Sequence, residues 1–285
     1  MKLFRYGPPG EERPGIVDKY GKLRDLSLHI SEITAETLAD DQLAALQKID
    51  PEQLPELPAD IRYAVPVRDI GKFVAIGLNY RDHAEEAGLA IPSEPVVFFK
   101  ATTSISGAND PIIKPPHSTQ LDWELELGVV IGKRTRYVSA EEALDHVCGY
   151  CVVNDVSDRG FQFQSSQWDK GKSCDSFGPI GPWLVTRDEI PDPQNLDMWL
   201  DVNGERRQVG NSATMIFSVA EIVSYCSRYM TLAPGDVICT GTPPGVSMGM
   251  KPRPKWLEIG DEVTLSIAGL GRQHHVVTAY RGLPG

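Results

Sequence analysis

Leu121-Asp122-Trp123-Glu124-Leu125-Glu126-Leu127-Gly128-Val129-Val130-Ile131-Gly132 is the stretch whose pattern decides the rest of the chain. In a β-strand successive side chains face opposite ways, so Trp123, Leu125 and Leu127 point to one side while Asp122, Glu124 and Glu126 point to the other. One face is built for a core and the other for charge. Carboxylates two residues apart on one face repel unless water screens them or a cation lies between them. The alternation alone fits an edge strand with a solvated acidic face. The continuation Gly128-Val129-Val130-Ile131-Gly132 is apolar without alternation, as in a strand buried on both sides, and leaves less room for a wet surface. Two oxygen ligands for a hard divalent cation become a reading to test against the other residues.

Composition sets the frame. The chain has 285 residues, enough for one large domain or a large domain with a small satellite. Its 41% hydrophobic and 24% charged content is that of an ordinary globular protein. A net charge of -11 argues against nucleic acid as a partner, since phosphate binding needs clustered Lys and Arg, but leaves room for a small anionic substrate at a local positive site. No apolar run approaches the ~20 residues of a membrane helix, and Met1-Lys2-Leu3-Phe4-Arg5-Tyr6-Gly7 has no apolar signal region, so no membrane partner and a cytoplasmic location are expected. Five cysteines fit free thiols better than a disulfide framework. Cys148-Gly149-Tyr150-Cys151 has the spacing of half a zinc site but no matching second pair, and reads as small apolar residues in a strand.

Gly15-Ile16-Val17 and Leu23-Arg24-Asp25-Leu26 flank a turn at Asp18-Lys19-Tyr20-Gly21 in a hairpin pattern. Thr34 is placed to cap a helix whose stripe is Leu38, Leu43, Leu46 and Ile49. Pro51, Pro55, Pro58 and Pro66 then interrupt regular structure, which predicts a small N-terminal α+β domain over residues 1–66 and a second domain over 67–285. Phe73-Val74-Ala75-Ile76-Gly77-Leu78 reads as a strand, followed by a helix from Asn79 that ends on Gly88. His83 and Glu86 stand three apart on that helix, so the carboxylate can hold the imidazole, although an exposed helix with an incidental pair is the competing reading. Gly77 and Gly88 bracket the segment as they would a mobile lid.

Gly149-Tyr150-Cys151-Val152-Val153 is a strand candidate ending on Asn154-Asp155, where Asp155 is either a turn cap or a third carboxylate. Residues 167–179 lack periodicity and read as a loop. Its Lys170 and Lys172 are either solvated or, near an acidic cluster, able to hold a substrate anion. Ser218-Val219-Ala220-Glu221 is a capping box for a scaffold helix burying Ile222, Val223, Cys226 and Met230. Val237-Ile238-Cys239-Thr240 is a strand running into Gly241-Thr242-Pro243-Pro244-Gly245-Val246, whose glycines expose backbone N–H groups. Two further strands close the chain, with no role assigned to His274 or His275. Serine-hydrolase elbow, P-loop and zincin motifs are absent from the sequence.

In this order, Asn79-Tyr80-x-x-His83-x-x-Glu86, Glu124-x-Glu126-Leu127, Asn154-Asp155-x-Ser157, Lys172-x-x-Asp175 and Thr240-Gly241-Thr242-Pro243 resemble the fumarylacetoacetate hydrolase family, over residues 70 to 280. The Pro-rich linker, Gln167-Trp168-Asp169-Lys170-Gly171-Lys172 and Gly241-Thr242-Pro243-Pro244-Gly245-Val246 are most similar to its bacterial branch of 2,4-diketo-3-deoxy-L-rhamnonate hydrolases, many labelled ureidoglycolate lyase. The resemblance implies an α+β, mostly β protein with a mixed β-roll, a homodimer, and Mg2+ or Mn2+ held by Glu124, Glu126 and Asp155. It implies that His83 and Glu86 form a catalytic dyad, that Lys172 contacts substrate, and that Gln162, Thr242, Gly241, Arg81 and Tyr80 bind it. Leu78 departs from the basic residue that many relatives carry before the Asn-Tyr pair, which bears on substrate preference and not on the metal site.

The activity so implied is cleavage of the C–C bond of a 2,4-diketo acid, with 2,4-diketo-3-deoxy-L-rhamnonate giving pyruvate and lactate. Three carboxylates leave about half an octahedral shell for a chelating 2-oxo acid, His83 activates water, and the enolate of pyruvate leaves beside the cation and Lys172. Ureidoglycolate cleavage, oxaloacetate decarboxylation and hydroxymuconate-type isomerisation use the same chemistry and stay open. So does a keto-acid-binding protein without turnover, which has no need of a proton-transfer dyad.

Overall fold

The computed structural model describes residues 1–87 and 90–282. Its centre is the strand Leu125–Ile131, in which every residue is buried. It lies between Val147–Asn154 and Val237–Cys239, both antiparallel to it. Among the described residues these belong to an eleven-stranded sheet that runs Leu23–Asp25, Arg13–Val17, Lys2–Tyr6, Gly178–Thr186, Val147–Asn154, Leu125–Ile131, Val237–Cys239, Phe73–Gly77, Val96–Lys100. Tyr63–Ala64 and Ile105–Gly107 pair onto it off that path. A five-stranded sheet, Glu205–Asn211, Asp197–Val202, Glu262–Ile267, Gly271–Ala279 and Ile112–Lys114, is the second layer. Parallel pairs such as Val237–Cys239 with Phe73–Gly77 occur among the antiparallel ones, so the chain is mostly β with mixed sheets.

The alternation read from the sequence is what splits the core in two. Leu125, Leu127, Val129 and Ile131 face one cluster with Leu200, Val263 and Leu265 of the second sheet and Ile222, Val223 and Cys226 of the helix Val219–Tyr229. Val130, Cys148, Cys151, Val153 and Cys239 face the other, with Leu3, Leu26, Leu43 and Ala75. Each strand thus has two apolar faces, and burying both is what makes the central run continuous rather than alternating. The capping box at Ser218 is present, with Glu221 N–H donating to the Ser218 hydroxyl and the Glu221 carboxylate accepting from Ser218 N–H. The hairpin of Arg13–Val17 and Leu23–Asp25 also forms, and all five cysteines are free thiols.

Several elements differ from expectation. The stretch 121–132 is not one strand: Leu121–Asp122 pairs with Ser157–Asp158 in a separate small sheet, and the main strand starts at Leu125. The break follows from side chains that take over backbone partners. Asn154 Oδ1 accepts from Glu124 N–H at 3.2 Å and Asp122 accepts from Trp123 N–H at 2.9 Å. The first helix runs Asp40–Leu46 behind Ala39, without a side-chain cap; Thr34 lies upstream of its start, with its N–H donated to the Thr37 hydroxyl. The expected loop over 167–179 contains a helical turn, Asp169–Lys172, and the start of the strand Gly178–Thr186. The helix after Phe73–Gly77 spans Arg81–Ala87, and Gly88, expected to end it, lies outside the described residues. Lys2–Tyr6 pairs with Gly178–Thr186, so the sheet runs unbroken across residue 66. Among the described residues no helix is long and apolar enough to cross a membrane.

Candidate active site

Strand register brings the site together. Leu125 stands opposite Asn154 and Gly128 opposite Cys239, in antiparallel pairs. The start of the central strand therefore lies beside the ends of both neighbours, where Asp155 and the Thr240-Gly241-Thr242 turn follow. Backbone bonds fix the level: Asp155 N–H donates to Glu124 O at 2.8 Å and Thr240 N–H to Leu127 O at 3.1 Å. Glu124 is 6% exposed, Glu126 2% and Asp155 0%, which excludes a solvated acidic face.

Three cations from distant parts of the chain meet these carboxylates. Lys172 Nζ donates to Glu124 Oε2 and to Asp155 Oδ2, each at 2.7 Å. Lys100 Nζ donates to Asp155 Oδ1 and to the Lys172 carbonyl. Arg159 donates from Nη2 to Glu124 Oε1 at 2.6 Å, from Nε to Asp122 Oδ2 at 2.9 Å and from Nη1 to Gln162 Oε1 at 2.9 Å. For Glu124, Lys172 and Arg159 burial works against the charge, and the pairing outweighs it. The Glu124 carboxyl is driven up by burial but held well below its ordinary value by Lys172 and Arg159. Lys172 and Arg159 are in turn raised by the carboxylates they touch, against burial that would lower them.

Glu126 is the exception. Burial first, then the Asp155 and Glu124 charges, push its carboxyl well above the ordinary range. Its one hydrogen bond among the described residues comes from Gly241 N–H at 2.7 Å. A sealed carboxylate with two acidic neighbours and no cation in direct contact is the feature a divalent ion would satisfy. Ligating atoms of Glu126, Asp155 and Cys239 lie within 4.8 Å of one another, all buried. Glu124 is not in that group; its two oxygens accept from Arg159 and Lys172. Burial keeps the Cys239 thiol far above its usual range and protonated, so it is a poor ligand for a hard cation. The carboxylate oxygens of Glu126 and Asp155 suit a hard divalent ion better than a thiol-bound metal.

The cluster floors a small cavity of about 60 Å³. His83, Glu124, Glu126, Gln162, Lys172 and Thr242 line it. Asp155 lies behind Lys172 rather than on the wall. His83 and Glu86 meet on the helix Arg81–Ala87: His83 Nδ1 and Glu86 Oε2 are 3.4 Å apart, at the long end of hydrogen-bonding range. Glu86 also accepts from Gly245 N–H at 3.0 Å. Partial burial would raise the Glu86 carboxyl, but the His83 and Gly245 hydrogen bonds leave it below its ordinary value.

Tyr80, Arg81 and Gly241 are not brought to the cavity wall. Tyr80 is wholly buried in the core with its hydroxyl 3.5 Å from Met198 Sδ, and Arg81 points to solvent. Gly241 acts on Glu126 through its N–H. Its φ of 96° and a Cβ position only 2.7 Å from Asn79 Cβ demand glycine. The Thr242 hydroxyl donates to Leu125 O at 2.9 Å and accepts from Gln208 Nε2 at 2.8 Å, which locks the turn. Lys100, Arg159, Asn79 and Gln208 were not anticipated as site residues. A lysine closing the apolar run Val96-Val97-Phe98-Phe99 was the one available signal for Lys100. Asn79, whose amide donates to Thr240 O at 2.8 Å and Phe217 O at 3.0 Å, ties the helix entry to the strand end.

A family model described as fumarylacetoacetate (FAA) hydrolase C-terminal matches residues 72–278. A protein of Burkholderia cenocepacia named as a hydrolase is 58% identical over 274 residues, covering 96% of this chain and 97% of its own. The structure of a fumarylacetoacetate hydrolase from Exiguobacterium antarcticum superposes with a TM-score of 0.88 at 38% identity, covering 98% of this chain and 100% of that one. A maleylpyruvate hydrolase from Sphingobium, solved with manganese and pyruvate, gives 0.84 at 28% identity, over 99% of this chain and 100% of that one.

Proposed function

Because the chain belongs to the fumarylacetoacetate hydrolase family, we propose that it is a divalent-metal-dependent hydrolase that cleaves a C–C bond of a 2,4-diketo acid and releases pyruvate. The observation that carries this reading is Glu126, a buried carboxylate beside Asp155 and Glu124 that no cation among the described residues touches, opening on the same cavity as His83. Glu124, Glu126 and Asp155 would hold Mg2+ or Mn2+. When bound, such an ion supplies Lewis-acid polarisation and a charge to set against a 2-oxo acid.

The substrate's 2-oxo carboxylate end would lie at the carboxylate cluster and its acyl end toward the cavity mouth. The side chains then do the rest. Glu86, itself fixed by Gly245 N–H, orients the His83 imidazole. His83 takes a proton from water as the oxygen attacks the C4 carbonyl. Collapse of the tetrahedral adduct breaks the C3–C4 bond, its electron pair passing to C3 as the enolate of pyruvate. The acyl group leaves as a carboxylic acid, and C3 regains a proton. Charge developing on the enolate falls close to the Lys172 ammonium, whose position is set by Glu124 and Asp155. With 2,4-diketo-3-deoxy-L-rhamnonate, the substrate proposed here, the products are pyruvate and lactate.

Release of pyruvate from a panel of acylpyruvates and diketo sugar acids, with Mg2+ and with chelator, tests the proposal. Cleavage that chelator abolishes supports it. Isomerised or decarboxylated products without acyl release, or turnover indifferent to chelator, would overturn it.

A further inference from the structure

The wall of the cavity differs in kind from its floor. Leu78, Phe98, Phe163, Trp168 and Met248 make the apolar part of the lining, with the Phe98 ring centroid 5.3 Å from Lys172 Nζ. Among the described residues the cations that line the cavity are Arg159 and Lys172, and both are already engaged with buried carboxylates.

Leu78 holds its place against its own backbone preference, at a φ of 54°, the left-handed region that a branched side chain disfavours. Its neighbours on both sides leave little choice. A Cβ on Gly77 would lie 2.5 Å from the Trp168 ring, and Asn79 is pinned to Thr240 and Phe217 by side-chain hydrogen bonds. The result is an isobutyl group turned onto the cavity wall.

The floor's formal charge points the same way. With all four carboxylates ionised, as a bound cation would require of Glu126, Asp122, Glu124, Glu126 and Asp155 face Lys100, Lys172 and Arg159, all buried, so the cluster is one positive charge short. A divalent ion turns that shortfall into an excess of one, which a single substrate carboxylate cancels. A second carboxylate on the tail would stand uncompensated against apolar side chains, with the Glu86 carboxylate nearby to repel it.

We propose that this site selects 2-oxo acids that carry one carboxylate and an uncharged tail, with Leu78 and Met248 excluding a second carboxylate. The inference rests on the reading that the 2-oxo carboxylate end sits at the cluster. Diacids of the maleylpyruvate kind are then poor ligands, whereas an acylpyruvate with a short neutral acyl group fits.

The test compares 2-oxohexanoate with 2-oxoadipate, six-carbon acids that differ at the tail by a methyl group against a carboxylate. Calorimetric titration of the Mg2+-loaded protein should show 2-oxohexanoate binding at least about ten-fold tighter. Leu78→Lys and Met248→Lys, made separately and each checked for a cooperative thermal transition, should shift the affinity ratio toward 2-oxoadipate by about ten-fold or more. Equal affinities in the unsubstituted protein, or ratios unmoved in both folded variants, overturn the selectivity and leave the keto-acid site standing. Binding of neither acid removes the keto-acid site itself and the selectivity with it.

Discussion

Lys172 Nζ stands 2.7 Å from Asp155 Oδ2, both side chains sealed from solvent and each held by a second partner, Glu124 on one side and Lys100 on the other. The four groups form a chain of alternating charge, Lys100, Asp155, Lys172, Glu124, that Arg159 extends. Such a chain is stable only as a whole, because each member is the compensation for its neighbour's desolvation. It also puts an ammonium in competition with a divalent ion for the same oxygens.

Lys172→Met should therefore destabilise the metal-free protein by about 3–5 kcal/mol, since two buried carboxylates lose a partner. Mg2+ should recover more stability in this variant than in the unsubstituted chain. Urea denaturation with and without Mg2+ measures both effects, and equal Mg2+ increments in the two proteins would separate Lys172 from the metal site.

Glu126→Gln keeps the shape and the acceptor for Gly241 N–H but removes a charge that the fold opposes. The expected outcome is unchanged or higher stability without metal and no measurable Mg2+ binding by calorimetry. In the unsubstituted protein, Mg2+ at about a hundred times its Kd should add about 2.7 kcal/mol.

His83→Ala should leave Mg2+ and pyruvate binding intact and lower kcat by about 10²-fold or more, because the imidazole bonds to Glu86 and not to the carboxylate cluster. A variant that loses binding in step with turnover would make His83 a binding residue instead.

Gly249→Ala is a remote way to disturb the dyad. A Cβ at Gly249 would lie 2.6 Å from Glu86 Cδ, so Glu86 must give way and the imidazole loses its orienting partner. We expect kcat to fall several-fold or more with Mg2+ affinity unchanged, as read by steady-state kinetics beside calorimetry.

Much of this site was legible because its signals are local. Alternation at Glu124 and Glu126, the three-residue spacing of His83 and Glu86, and the capping box at Ser218 each depend on the geometry of one element, which a few consecutive residues specify. The error over 121–132 was of the same origin. Periodicity gave the correct faces from Leu125 onward, but nothing within the stretch announces that Asn154 Oδ1 will take the Glu124 N–H and end the ladder. Tyr80 failed for a related reason, since its neighbours place it on a helix entry without saying that Met198 lies over it.

From sequence alone came the two-sided central strand, the acidic pair on it, the helix that carries His83, and the resemblance that joined them. Tertiary structure alone decided which cation meets which carboxylate: Lys100 with Asp155, Lys172 with Asp155 and Glu124, Arg159 with Glu124. It alone left Glu126 without a cation among the described residues, and it alone set Leu78 on the wall. The division has one physical cause. The direction of a side chain follows from its own backbone, whereas the balance of buried charge depends on every segment that folding brings within a few ångströms, and those segments lie far apart along the chain.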